Sequence, residues 1–157
     1  MIANRPADAD SSAAPAGLVS RVRDSIDRQQ FMTTLGARLV LIADGRVGIA
    51  LPAVAGLTQQ HGYVHAGVIA SVADTACGYA AYTLMPDGHD VLTIEFKLNL
   101  LAPAAGEEIE ARAEVVRAGR TLTVCRGDVY ARAAGTEALV ATMLATIIGR
   151  RAMREER

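Results

Sequence analysis

One carboxylate interrupts an otherwise uncharged passage. The chain runs His65-Ala66-Gly67-Val68-Ile69-Ala70-Ser71-Val72-Ala73, meets Asp74, and continues Thr75-Ala76-Cys77-Gly78-Tyr79-Ala80-Ala81-Tyr82 with no other Asp, Glu, Lys or Arg. Burying an ionisable group among Val, Ile and Ala is costly unless it has a partner or a task. The passage reads as a loop that breaks into a helix, so the first free N–H groups fall near Ala66 and Gly67. A helix N-terminus favours negative charge, including an oxyanion formed during acyl transfer. Asp74 lies eight residues beyond Ala66, about 12 Å along a helix axis. One thioester or ester carbon does not touch both. If both do chemistry, the spacing predicts a site completed by a second copy of the chain in a symmetric dimer. The alternative is a helical Asp paired with a hydroxyl or amide at a dimer seam.

The surrounding elements must position these groups. Val19, Val22, Ile26, Phe31 and Leu35 form an uneven helical stripe, which predicts a surface helix over Leu18 to Leu35. The period then changes to two. Residues 39–43 and 47–51 flank Asp44-Gly45-Arg46, a strong hairpin signal. A loop over 52–62 leads to the helix, expected from about His65 to Leu84. Apolar on nearly every side, it should be wrapped by other structure. Its Ala66, Ala70, Ala73, Cys77, Gly78 and Ala81 would let a neighbouring backbone come close. After a turn at 85–90, Leu92, Ile94, Phe96, Leu98 and Leu100 alternate with Thr93, Glu95, Lys97 and Asn99, a half-buried strand pattern. Ile109 to Val115 alternates in the same way. Arg117-Ala118-Gly119-Arg120 turns the chain, 121–131 returns it, Gly135 turns it again, and 138–148 closes the sheet. This order predicts an α+β fold, a curved antiparallel sheet of about six strands around one central helix.

A chain of 157 residues is normally one domain with a real core. Hydrophobic residues make up 51%, with no Trp, so Ala, Val, Leu and Ile must build that core. A net charge of −1 suggests neither a nucleic-acid nor a membrane-surface partner. Polar residues interrupt every long apolar stretch, so no transmembrane span is expected. Residues 1–17 lack the pattern of a secretory signal and read as a disordered leader. Residues 18–149 form the domain, and 150–157 read as a solvated charged tail. Cys77 and Cys125 show no metal spacing and read as reduced, small apolar residues of a cytoplasmic protein. No Gly-x-Ser-x-Gly elbow, phosphate loop or dinucleotide fingerprint is present, and His61, His65 and Asp74 match no common zinc set.

In order and spacing the chain resembles the hot-dog-fold thioesterases of the PaaI-like type. That family opens its central helix with His-Gly-Gly and carries an Asp or Glu nine residues after the His; His65 and Asp74 stand nine apart. It has Gln or Asn six residues before the His, where this chain has Gln59. Ala102-Pro103 matches a later strand ending in Pro, and Gly119-Arg120-Thr121 matches a Gly-Arg-Thr hairpin. The similarity spans roughly residues 30–149. The departure is Ala66, which replaces the first Gly. Its backbone N–H survives, while the extra methyl narrows the space for a carbonyl.

The resemblance implies a hot-dog fold and hydrolysis of an acyl-CoA to free acid and CoA, with no metal and no cofactor beyond the CoA of the substrate. It implies a homodimer that pairs again as a dimer of dimers. Asp74 would activate a water as general base, in preference to attacking the carbonyl as nucleophile. Ala66 N–H would hold the oxyanion, and the Gln59 amide would add a donor or orient the water. His65 would contact the thioester or brace the loop, and Thr93 would help place the water. Substrate and CoA would lie along Arg117, Ala118, Gly119, Arg120, Thr121 and Leu122, with Gly67 and Leu100 also in contact. Guanidinium groups suit phosphates, and Gly admits a ligand to the backbone. The alternatives are a hydratase or dehydratase on the same fold and a non-catalytic acyl-CoA binder or sensor. The acyl group is not readable; Tyr63, Tyr79, Tyr82 and Met85 either shape its pocket or belong to the core.

Overall fold

The computed structural model describes residues 14–151. Residues 1–13 of the expected leader and 152–157 of the expected tail lie outside the described residues. The expected helix over 18–35 is instead two, α1 (Ala16–Ile26) and α2 (Gln30–Thr34). The five-residue step from Ile26 to Phe31 does not fit a helical period. The chain breaks there, burying Met32 and Leu35 and leaving Phe31 56% exposed. Gly36 ends α2 at φ +68. Its N–H donates to Thr33 O and that of Ala37 to Met32 O, a left-handed helix ending that Gly accommodates.

Strands β1 (Arg38–Ala43) and β2 (Arg46–Pro52) form the expected hairpin, followed by a single 3-10 turn at Ala55–Leu57. Helix α3 (Ala66–Thr83) precedes β3 (His89–Leu100), β4 (Glu108–Ala118), β5 (Leu122–Ala133) and β6 (Thr136–Arg151). The sheet is antiparallel throughout, in the order β1-β2-β4-β5-β6-β3. The last strand therefore does not close the sheet; it inserts between β5 and β3 and leaves β3 at the edge. His89 and Asp90, expected in a turn, begin β3 opposite Arg151 and Arg150, so β6 runs into the charged tail.

Helix α3 lies across the sheet. Val72, Ala73, Ala76, Cys77 and Ala80 are fully buried in one core with Ile49, Ile109, Val129 and Ile147. The close backbone approach expected from its small residues comes from β5. A Cβ on Gly127 would lie 2.9 Å from Cys77 Sγ and 3.5 Å from Ala73 O. Burial raises both thiols, Cys125 to about 12, which keeps them unreactive fillers.

Arg21 of α1 fastens that helix to the end of α3. Its guanidinium donates to Tyr82 O at 3.1 Å and Met85 O at 3.0 Å, and lies 4.7 Å above the Tyr82 ring centre. A cation is well placed against the carbonyl end of a helix.

The apolar face of β3 departs from expectation. A bulge between Thr93 and Glu95 shifts the alternation. Thr93 sits opposite the buried Ile147 and shares its face, while Leu92 sits opposite Ile148 on the other. Leu92, Ile94, Phe96 and Leu100, expected on the buried face of the strand, are 51%, 53%, 47% and 56% exposed, while Leu98 of the same set packs against the core. Edge position explains this, because among the described residues no further strand lies beyond β3.

Candidate active site

The bulge that turns Thr93 inward brings it to Asp74. Thr93 Oγ1 donates to Asp74 Oδ1 at 2.7 Å. This is the partner that the lone carboxylate requires; among the described residues Asp74 forms no ion pair. Both side chains line a cleft of about 510 Å³ between α1, α3 and β3. A carboxylate with one oxygen held by a hydroxyl and access to a cleft can take a proton from a bound water.

Opposite this cleft, at the start of α3, the chain builds a second one. Gln59, His65, Ala66, Leu100 and Pro103 line a volume of about 380 Å³. The loop that carries them is pinned by its backbone. Gln59 N–H donates to Tyr63 O, Val64 N–H to Ala104 O, and His65 N–H to Leu57 O. His65 caps α3, its Nδ1 accepting from Gly67 N–H at 2.9 Å. A Cβ on Gly67 would lie 3.1 Å from that nitrogen, so glycine gives the cap its room. The Gly67 N–H is thus occupied, whereas Ala66 N–H has no acceptor among the described residues. Ala66 takes an ordinary helical backbone without positive φ, so replacing Gly strains nothing. Gln59 Oε1 accepts from His61 N–H. A backbone N–H can only donate, so this bond fixes the amide orientation and leaves Nε2 as a donor. The loop therefore presents two donors along one cleft, groups of the kind that can stabilise charge developing on a carbonyl oxygen.

The expected parts thus fall into two groups within one chain. Asp74 and Thr93 share one cleft; Gln59, His65, Ala66 and Leu100 share the other. The clefts lie toward opposite ends of β3, since Thr93 and Leu100 are seven residues apart, about 23 Å of regular strand.

The hairpin of β4 and β5 lies at the Asp74 end. Thr93, Ile147, Thr123 and Ala118 form one row across four strands. Arg117, Ala118, Gly119, Arg120, Thr121 and Leu122 are all exposed. Gly119 N–H donates to Leu122 O, and a Cβ on Gly119 would lie 2.7 Å from that oxygen, so the tight turn requires glycine. Among the described residues neither arginine forms an ion pair.

Sequence reasoning missed Ser25 and Gln29, which line the Asp74 cleft from α1 and its break. Gln29 Nε2 donates to Tyr79 Oη at 3.0 Å, and Tyr79 Oη donates to Ser25 Oγ at 3.1 Å. Burial raises the Tyr79 phenol above its ordinary value, ahead of the lowering bonds to Ser25 and Gln29, so it stays a neutral donor. No signal in the sequence joins positions so far apart.

A six-stranded antiparallel sheet around a central helix is the hot-dog fold, shared with thioesterases of solved structure. The sequence model of the thioesterase superfamily matches residues 61–138. A Halobacterium salinarum protein named provisionally as an esterase is 33% identical over 122 residues, covering 74% of this chain and 76% of that protein. A crystal structure of a thioesterase family protein from Silicibacter pomeroyi is 50% identical, with TM-score 0.85, and covers 87% of this chain and 100% of that one. A variant of the phenylacetic acid degradation protein PaaI from Thermus thermophilus is 27% identical, with TM-score 0.66, over 76% of this chain and 97% of that one. The chain belongs to the thioesterase superfamily.

Proposed function

We propose that the protein hydrolyses an acyl-CoA thioester, in a site assembled from two chains. The observation that carries this reading is the division of the parts. Donors without acceptors sit in one cleft and a held carboxylate in another, toward opposite ends of an uncovered edge strand. An edge strand of twelve residues with exposed Leu92, Ile94, Phe96 and Leu100 is a template for pairing with another strand. Antiparallel pairing of two such strands about a two-fold axis near Phe96 sets the Thr93 end of one beside the Leu100 end of the other. The carboxylate of each chain then meets the helix mouth of its partner.

In this arrangement Asp74 takes a proton from water as the water oxygen bonds to the thioester carbon. The carbonyl electron pair moves onto oxygen, where Ala66 N–H and Gln59 Nε2 hold it. The pair returns, the carbon–sulfur bond breaks, and the CoA thiolate leaves and takes up the proton. Thr93 holds Asp74, His65 holds the helix mouth, and Leu100 lines the pantetheine path. Arg117 and Arg120 meet the phosphates of CoA, with the backbone from Ala118 to Leu122 beneath.

The test is thiol release from a panel of acyl-CoAs by the parent, Asp74→Ala and Asp74→Asn. Hydrolysis by the parent and a loss of at least about 100-fold in both variants is expected, the scale of general acid–base work. Equal rates in all three would remove Asp74 from the mechanism. Tight CoA binding without turnover would make the protein a sensor.

A further inference from the structure

Ala66 is the first residue of α3 and stands where the second cleft opens. It is exposed, so its methyl borders that cleft. In an α-helix every Cα–Cβ bond leans toward the N-terminus, the direction in which the free N–H groups of the first turn also point. The Ala66 methyl therefore stands beside whatever its own N–H holds. It cannot swing aside, because no side-chain torsion of alanine moves its Cβ. The backbone around it is held as well. His65 N–H donates to Leu57 O at 2.9 Å, Val68 and Ile69 N–H donate to His65 O at 2.9 and 3.2 Å, and Gly67 N–H donates to His65 Nδ1 at 2.9 Å. Gly67 adds no side chain to this turn, and the His65 ring occupies the space where its Cβ would lie. Ala66 is thus a rigid apolar projection next to an open donor.

A thioester whose oxygen rests on Ala66 N–H and Gln59 Nε2 keeps two other substituents on its carbonyl carbon. One is sulfur, which carries the same unbranched arm in every CoA ester. The other is the α-carbon, whose bulk differs between acyl groups. Beside the carbonyl, only that carbon lets a fixed methyl tell one acyl-CoA from another. We infer that the Ala66 methyl is a steric filter on the acyl α-carbon, passing thioesters unbranched there and turning away those that carry a methyl at that position. The inference rests on the thioesterase reading and names the substrate class for that site. It comes from the residue at which this chain departs from the His-Gly-Gly pattern, since glycine supplies the same N–H without the filter. Specificity can be built from a clash against the wrong substrate, and one methyl group can change kcat/KM by about tenfold or more.

The experiment measures kcat/KM for two pairs that differ by one methyl: propanoyl-CoA with 2-methylpropanoyl-CoA, and hexanoyl-CoA with 2-methylhexanoyl-CoA. The ratio of unbranched to branched member is compared between the parent, Ala66→Gly and Ala66→Ser, which cancels the intrinsic reactivity of each thioester. Ala66→Gly should lower the ratio by about tenfold in at least one pair, through faster turnover of the branched member. Ala66→Ser keeps the Cβ and should leave the ratio at or above that of the parent. A ratio does not depend on the fraction of folded enzyme, so a loosened helix start does not mask the result. An unchanged ratio in Ala66→Gly overturns the inference and leaves the thioesterase reading standing. A change of both members by the same factor also overturns it, since that marks an effect on the helix start or on the sulfur side. No turnover of any thioester by the parent takes down both readings together.

Discussion

The bond from Thr93 to Asp74 makes the threonine a positioning residue, because it touches the candidate base and holds one of its oxygens. Thr93→Val keeps the shape and removes the donor. It should lower kcat by about tenfold while KM changes little, and Thr93→Ser should restore most of the loss. Steady-state thiol release checks both, and an unchanged kcat in Thr93→Val ends this role. Asp74, His65 and Gln59 were legible because their types and spacing stand out from an apolar or loop background. What each ring or amide does was less so. His65 spends Nδ1 on capping α3, and only the folded loop reveals that the Gln59 oxygen is held and its nitrogen is not. The Ser25–Tyr79–Gln29 wall left no trace, because side chains joined across about fifty positions produce no local pattern.

At the scale of elements, the stack of α3 on β5 depends on a missing side chain. Gly127→Ala puts a methyl 2.9 Å from Cys77 Sγ and should cost about 1–3 kcal/mol, read as a lower denaturant midpoint at constant slope. Cys77→Ala in the same chain should recover part of that loss, since Sγ is the nearest atom to the new methyl. The hairpin, the wrapped helix and the antiparallel runs were readable from period and turn chemistry. The phase of β3 was not. A strict alternation places Thr93 with the polar residues, and the bulge beside it reverses that. Strand order was equally hidden, because the crossover through α3 carries β3 to the far edge, and β4, β5 and β6 then fill the sheet between β2 and β3.

For the whole molecule, a site divided between chains has an arithmetic signature. Asp74→Ala and Gln59→Ala chains should each be nearly inactive alone. Co-refolded in equal amounts, about half of the dimers are mixed, and each mixed dimer keeps one intact site of two, so about a quarter of the parent rate should return. No recovery would place both groups in a single-chain site and refute the shared one. Within the chain itself, helix α1 and Gln29 precede the residues 61–138 that match the superfamily. Ser25 and Gln29 on the Asp74 cleft are thus carried upstream of that stretch, tied to α3 by Arg21 and by their bonds to Tyr79. Exchanging that short upstream segment would therefore reshape one side of the Asp74 cleft while leaving α3 and β3, which carry Asp74 and Thr93, in place.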